Sequence, residues 1–159
     1  MSLDPDEFRS VLGRFATGVT IVTVADRQGL DYGITVTAFC SLSLQPPRVL
    51  VCIDHDASIL PPLSDASHFV VNILAADQEP IARRFATPDA ERRFDGIGYT
   101  RGQSGTAVLE DVLAWIECRT VQSIDGGDHT IFVGDVEAAS ARSDTPLLYY
   151  RGGYSQLDR

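Results

Sequence analysis

The chain is 159 residues long, 44% apolar, 8% aromatic and 22% charged, proportions that suit one ordinary globular domain and exclude a fibrous or disordered chain. All 13 basic residues are arginine, which excludes chemistry that needs an amine: a Schiff base, pyridoxal phosphate held on lysine, or a phosphate loop ending in Gly-Lys. A formal charge of −9 argues against nucleic acid as a partner, and leaves any anionic ligand to a local group of arginines or backbone amides.

Asp4 and Pro5 read as an N-cap and a first helical residue. Phe8, Val11, Leu12 and Phe15 then recur at i, i+3, i+4 and i+7, which predicts an amphipathic helix of about three turns. The acidic start, Met1 to Glu7, lacks the hydrophobic stretch of a signal or transit peptide, and no apolar run has the length of a membrane helix. The expected location is the cytoplasm, with no membrane partner. Val19–Val24 and Tyr32–Ala38 predict a hairpin across the polar segment 26–31. After the tract Phe39–Leu44, Pro46 and Pro47 interrupt the chain before the apolar run Val49–Ile53, whose lack of alternation predicts a fully buried strand.

A short helix is expected over Ser58–Ala66 and a strand over His68–Leu74. Ile81 and Phe85 mark a helix over Gln78–Phe85, and Ala90–Phe94 adds a helical turn. The glycine-rich stretch Gly96–Gly105 reads as turns. Two longer strands, Leu113–Ile124 and Thr130–Ala139, meet across Asp125-Gly126-Gly127-Asp128, the strongest hairpin signal in the chain. Pro146–Tyr150 and Tyr154–Leu157 close it with a short strand and a tail. Roughly seven closely spaced strands, a few short helices and no regular strand–helix alternation predict a mostly β, antiparallel barrel, one domain over residues 1–159.

Few residues offer chemistry of their own. Gly96-Ile97-Gly98-Tyr99-Thr100-Arg101-Gly102 has one residue too many for a dinucleotide fingerprint and follows a helical segment, so it reads as a turn. Gly102-Gln103-Ser104-Gly105 has the wrong spacing for a nucleophile elbow. Cys40, Cys52 and Cys118 are odd in number and widely spaced, as expected of reduced core thiols rather than a disulfide frame or zinc site. Asp54-His55-Asp56 reads as a charged turn, and His68 as a structural or surface residue heading a strand. His129 opens a strand beside Asp128 after a glycine turn, where a loop can present a titratable side chain. Along Thr35–Ser43, hydroxyls at 35, 37, 41 and 43 alternate with apolar residues. One extended segment would turn them to one side, either as a solvated strand face or as a hydrogen-bonding rail for a planar heterocycle.

Several ordered tracts, namely Phe15–Thr23, Thr35–Pro47, Val70–Leu74, Arg84-Phe85-Ala86, Gly127-Asp128-His129 and Pro146–Tyr150, resemble the short-chain flavin reductases. These are the reductase components of two-component flavin-dependent monooxygenases, and the resemblance spans nearly the whole chain. It implies an FMN-binding split barrel, a homodimer, and reduction of FMN or FAD by NADH or NADPH, with reduced flavin diffusing to a partner monooxygenase. It further implies that Thr35, Thr37, Ala38 and Ser41 line the isoalloxazine and ribityl chain, and that Cys52, Ile53 and Asp54 follow the same groove. Ala57 and Ser58 would stand at the phosphate end, where a helix start offers free amides. Arg84, Phe85 and Ala86 would lie near the phosphate or adenosine end, and His129 and Tyr154 on the nicotinamide side. The chain departs from the family pattern at Thr37, commonly asparagine, and at Ser58, where a basic residue can stand. Two other readings stay open: a flavin-binding or sensing barrel that catalyses little, and a pyridoxamine phosphate oxidase-like enzyme, which the missing lysines disfavour.

Overall fold

Asp4 begins the first helix as expected: its side chain accepts from the Asp6 N–H at 3.0 Å, and α1 runs Pro5–Leu12. In this computed structural model, which describes residues 2–158, α1 is shorter than the apolar spacing predicts, because Phe15 falls beyond the Gly13 cap. None of its residues is buried, and Phe8, Val11 and Leu12 are all at least half exposed.

Strands follow in quick succession: β1 (Thr17–Gly18), β2 (Thr20–Ala25), β3 (Asp31–Val36), β4 (Phe39–Leu44) and β5 (Pro47–Asp54). The turn between β2 and β3 is closed by the Asp26 carboxylate, which accepts from Gln28 and Leu30 N–H, both at 2.9 Å. After α2 (Leu60–Asp65) and β6 (His68–Ile73), a 3-10 turn leads into α3 (Glu79–Arg84). A second 3-10 turn, Ala90–Arg92, precedes β7 (Tyr99–Arg101) and β8 (Ala107–Leu109). The long pair β9 (Ala114–Asp125) and β10 (His129–Ala141) turns at Gly126-Gly127, where Gly127 has φ 99°. The chain ends with β11 (Leu147–Tyr150) and β12 (Gly153–Gln156). No helix among the described residues is long and apolar enough to cross a membrane.

Seven strands form one antiparallel sheet in the order β3-β2-β6-β9-β10-β5-β4; β1-β11-β12 and β7-β8 form smaller sheets. The two edges of the large sheet, β3 and β4, are consecutive in the chain and separated only by Thr37 and Ala38. Their nearest ends therefore stand at most about 11 Å apart along the backbone, so the sheet has to curl, although its edges are not hydrogen-bonded to each other.

Inside the curl lies one core, with Val22, Val51, Ile53, Phe69, Val71 and Phe132 packed against Ile59 and Leu63 at α2. A second core, Val19, Ile21, Leu74, Ala82, Phe85, Leu109 and Leu147, fills the opposite side of β2 and β6. Both of those strands are thus covered on two faces.

Three expectations change. The run Val49–Ile53 is buried on one face only: Val49, Val51 and Ile53 point inward, while Leu50 and Cys52 are half-buried on the other face. The Gly96–Gly105 stretch contains β7 and borders β8, whose three residues each are too few to show a period. Its Gly102–Gly105 turn closes over the buried carboxylate of Glu117, which accepts Gln103 N–H at 3.2 Å, Ser104 N–H at 3.1 Å and Ser104 Oγ–H at 2.6 Å. A Cβ on Gly102 would fall 2.2 Å from that carboxylate. Finally, Cys118 is a core thiol, pushed up to about 12 by burial, but Cys40 is exposed.

Candidate functional site

The face of β5 left uncovered is one wall of a groove of about 700 Å³. Cys40, Leu50 and Cys52 line it from the sheet, Thr37 and Ala38 from the β3–β4 connection, and Leu12, Phe15 and Thr17 from the α1 side; Tyr149 and Arg151 complete it. The connection is shaped by two backbone bonds: Phe39 N–H donates to the Thr37 carbonyl at 2.9 Å, and Cys52 N–H to the Ala38 carbonyl at 3.0 Å.

That turn breaks the expected row of hydroxyls. Thr35 ends up on the other side of the strand pair, where its Oγ–H donates to the Ala82 carbonyl at 2.6 Å and its N–H to the Phe85 carbonyl at 3.3 Å, tying β3 to α3. Ser41 is exposed on β4, ahead of a register shift between Ser41 and Ser43. Of the residues expected at the ring, the structure brings Thr37, Ala38 and Cys52 together and leaves Thr35 and Ser41 out of the lining. Thr17, which the sequence reading passed over, is added: its hydroxyl is buried and has no hydrogen-bond partner. Its only signal was its place in the Phe15–Thr23 tract. An apolar groove of this size, rimmed by Thr37 and by a hydroxyl that lacks a partner, fits a flat heterocycle with a polar edge.

Farther along β5, the Ile53 side chain is buried in the core, and its backbone is paired with Thr130 of β10. Asp54 Oδ1 accepts from Asp56 N–H at 2.8 Å and its carbonyl from Ala57 N–H at 3.1 Å. Ser58 is exposed, but the helix start beyond it offers fewer amides than expected: Leu60 N–H is taken by the Ala57 carbonyl at 3.0 Å, and Pro61 and Pro62 have none.

Arg84 is likewise occupied. Its Nε–H donates to the Arg93 carbonyl at 3.0 Å and its Nη2–H to the carbonyls of Arg92, at 2.9 Å, and Asp95. Phe85 is fully buried against the Phe94 ring, at 5.1 Å between centroids, while Ala86 is exposed. This triplet secures the 87–95 loop to α3, with Arg93 Nη1–H donating to the Gly33 carbonyl at 2.7 Å as a second clasp.

His129 is the first residue of β10 and lies opposite Asp54, while Ile131 lies opposite Cys52. Strand alternation therefore puts His129 on the same face of the sheet as Cys52 and Leu50. Its Nδ1–H donates to Asp128 Oδ1 at 2.7 Å, which directs Nε2 away from that carboxylate. The same hydrogen bond holds the Asp128 carboxyl below the usual carboxylate range. His55 braces the hairpin mouth, with its N–H donating to the Asp128 carbonyl at 2.9 Å and Nε2 lying 3.3 Å from Asp125 Oδ1. Tyr154 belongs to the three-stranded sheet, where Arg83 lies 5.0 Å over its ring; it meets the groove through Tyr149, at 5.4 Å between centroids. Burial pushes its phenol up.

Residues 12–158 match the flavin reductase like domain family. The chain is 44% identical over 155 residues to the reductase component of the 4-nitrophenol 4-monooxygenase/4-nitrocatechol 2-monooxygenase of Rhodococcus opacus, covering 98% of this chain and 82% of that one. It is 40% identical over 152 residues to the FMN reductase (NADH) SmoA of Agrobacterium fabrum, covering 96% and 86% of the two chains. Among solved structures, the NADH:FAD oxidoreductase SgcE6 of Streptomyces globisporus C-1027, in complex with NAD and FAD fragments, superposes with a TM-score of 0.92 at 35% identity, covering 99% of this chain and 97% of that one.

Proposed function

The chain belongs to the flavin reductase-like domain family, and from that premise we propose how its groove and hairpin mouth serve an NAD(P)H-dependent reduction of FMN or FAD. The observation that carries this reading is the apolar groove beside the His129 strand, which offers a flat ring shape and a hydrogen-bonding rim. The chemistry supplied by a bound flavin is acceptance of a hydride from reduced nicotinamide. The protein's share is position and dryness. Thr37 and Ala38, with the backbone around Cys52, hold the ring system; Leu50, Phe15 and Tyr149 exclude water from it. The ribityl and phosphate path runs past Ile53, Asp54 and Ala57, with the exposed Ser58 at its far end. Thr35, Arg84, Phe85 and Ala86 act one layer back by fixing β3 and the 87–95 loop. His129, oriented by Asp128, presents Nε2 to the nicotinamide carboxamide, with Tyr154 supporting Tyr149 on the opposite wall.

The curled sheet, its edges joined by Thr37–Ala38, is read as the split barrel of this family, and residues 1–159 as one domain. A homodimer is proposed because Leu50, Cys52, Ile131 and Ile124 share one bare sheet face while Leu44 stands 90% exposed at its edge. Reduced flavin then diffuses to a partner monooxygenase. Three unpaired thiols suit a reducing, cytoplasmic setting.

Purified protein, stripped of flavin, should oxidise NADH or NADPH only when FMN or FAD is added, with reduced flavin forming in step. Turnover without added flavin, or flavin binding with no turnover, would overturn the assignment; the latter outcome would favour a binding module.

A further inference from the structure

The arginines of this acidic chain are almost all engaged. Arg9, Arg27, Arg48, Arg83, Arg92, Arg101, Arg119 and Arg142 pair with carboxylates, and Arg84 and Arg93 donate to backbone carbonyls. Among the described residues, the guanidinium groups of Arg14 and Arg151 alone have neither kind of partner. They stand together. Both line a hollow of about 360 Å³ with Arg9, Ser10 and Gly13, and Arg9, Gly13, Arg151 and Gly152 are shared between this hollow and the large groove. Asp6, the one acidic side chain in the lining, lies 3.0 Å from Arg9, which leaves the charges of Arg14 and Arg151 uncompensated.

The backbone builds this juxtaposition. Arg151 and Gly152 form the two-residue turn between β11 and β12, both left-handed at φ 51° and 77°, and Arg151 N–H donates to the Gly13 carbonyl at 3.0 Å. A non-glycine residue held in that conformation beside the end of α1 is placed by the fold. In a protein of net charge −9, two forked guanidinium groups with no partner at the end of an apolar groove suit a phosphoryl group.

We infer that Arg14 and Arg151 form a phosphate subsite at the α1 end of the groove, taking the pyrophosphate of the nicotinamide dinucleotide; the flavin phosphate, assigned above to the Ala57–Ser58 end, is the alternative source that the test distinguishes. This rests on the groove being the flavin site proposed above. The test uses R14Q/R151Q, both single variants, and R14K/R151K. In the flavin arm, FMN and FAD affinities are compared with that of phosphate-free riboflavin. In the nicotinamide arm, KM for NADH is compared with the rate from 1-benzyl-1,4-dihydronicotinamide, which carries no phosphate. The double glutamine variant should lose roughly tenfold in one arm for the phosphate-bearing ligand alone, the lysine pair should restore most of it, and each single variant should lose part. The arm affected identifies the source of the phosphate. Should wild-type protein reduce flavin while the variants show no selective loss, or lose riboflavin in parallel, the subsite falls and the function stands. Wild-type protein that binds no flavin would overturn both.

Discussion

β2 and β5 have much the same apolar content and sit in the same sheet, yet one is buried on both faces and the other on one. The difference lies outside the strands. The second face of β2 and β6 is covered by α3, β8 and β11, which bring Ala82, Phe85, Leu109 and Leu147 against Ile21 and Leu74. Among the described residues, no second layer packs directly onto the outer face of β5, β10 and β9, where Cys52, Ile131 and Ile124 form a row across the three strands; the α1 side only borders it across the groove. Burying an apolar side chain is worth about 1.5–3 kcal/mol, so a doubly covered strand consolidates the fold, whereas a bare apolar face holds that free energy for a ligand or a partner.

The comparison breaks most sharply in the core. Phe132→Ala, inside the curl, should lower stability by about 3–5 kcal/mol in denaturant unfolding, taking flavin affinity down only through loss of folded protein. An unchanged midpoint would mean that this core does not hold the sheet. On the bare face, Ile124→Asp with Leu44→Asp should shift light scattering from dimer to monomer, weaken flavin binding about tenfold and lower the melting temperature only by the lost association, less than Phe132→Ala does. A dimer that survives would move the interface elsewhere. The smallest change belongs to the hairpin mouth: His129→Ala should raise KM for NADH or slow single-turnover flavin reduction by about tenfold, with flavin affinity and melting temperature nearly intact, and Asp128→Asn by about twofold. Since the Asp128 carboxyl is held below its ordinary value of about 4, the pairing is present above that pH and is lost only as pH falls through the lower folded value. Unchanged reduction kinetics in His129→Ala would remove this residue and turn attention to Tyr154.

Much of this was legible in the chain because its signals are local. Asp4-Pro5, the Gly126-Gly127 turn and the β-branched run of β2 each act through their own backbone or nearest neighbours. What stayed hidden depends on distant partners. The run Val49–Ile53 carries no mark of whether a second layer exists. The break at Thr37–Ala38 has no glycine or proline to announce it; it is held by the bond from Cys52 N–H to the Ala38 carbonyl. Arg84 resembles an anion clamp in sequence, but three carbonyls 8 to 11 residues away claim its guanidinium. Thr17 reaches the site from a two-residue strand and Arg151 from a two-residue turn, neither long enough to show a period.

The two residues between β3 and β4 set the curl of the large sheet and also form part of the groove wall. Ligand occupancy and sheet curvature are therefore one equilibrium. A ligand that grips Thr37 and Ala38 fixes the connection between the two edges of the sheet. By mass action, a ligand at a hundred times its Kd adds about 2.7 kcal/mol to the stability of the folded state. Here that gain falls on the seam of the sheet, so hydrogen exchange along β3 and β4 should slow before exchange anywhere else when the groove fills.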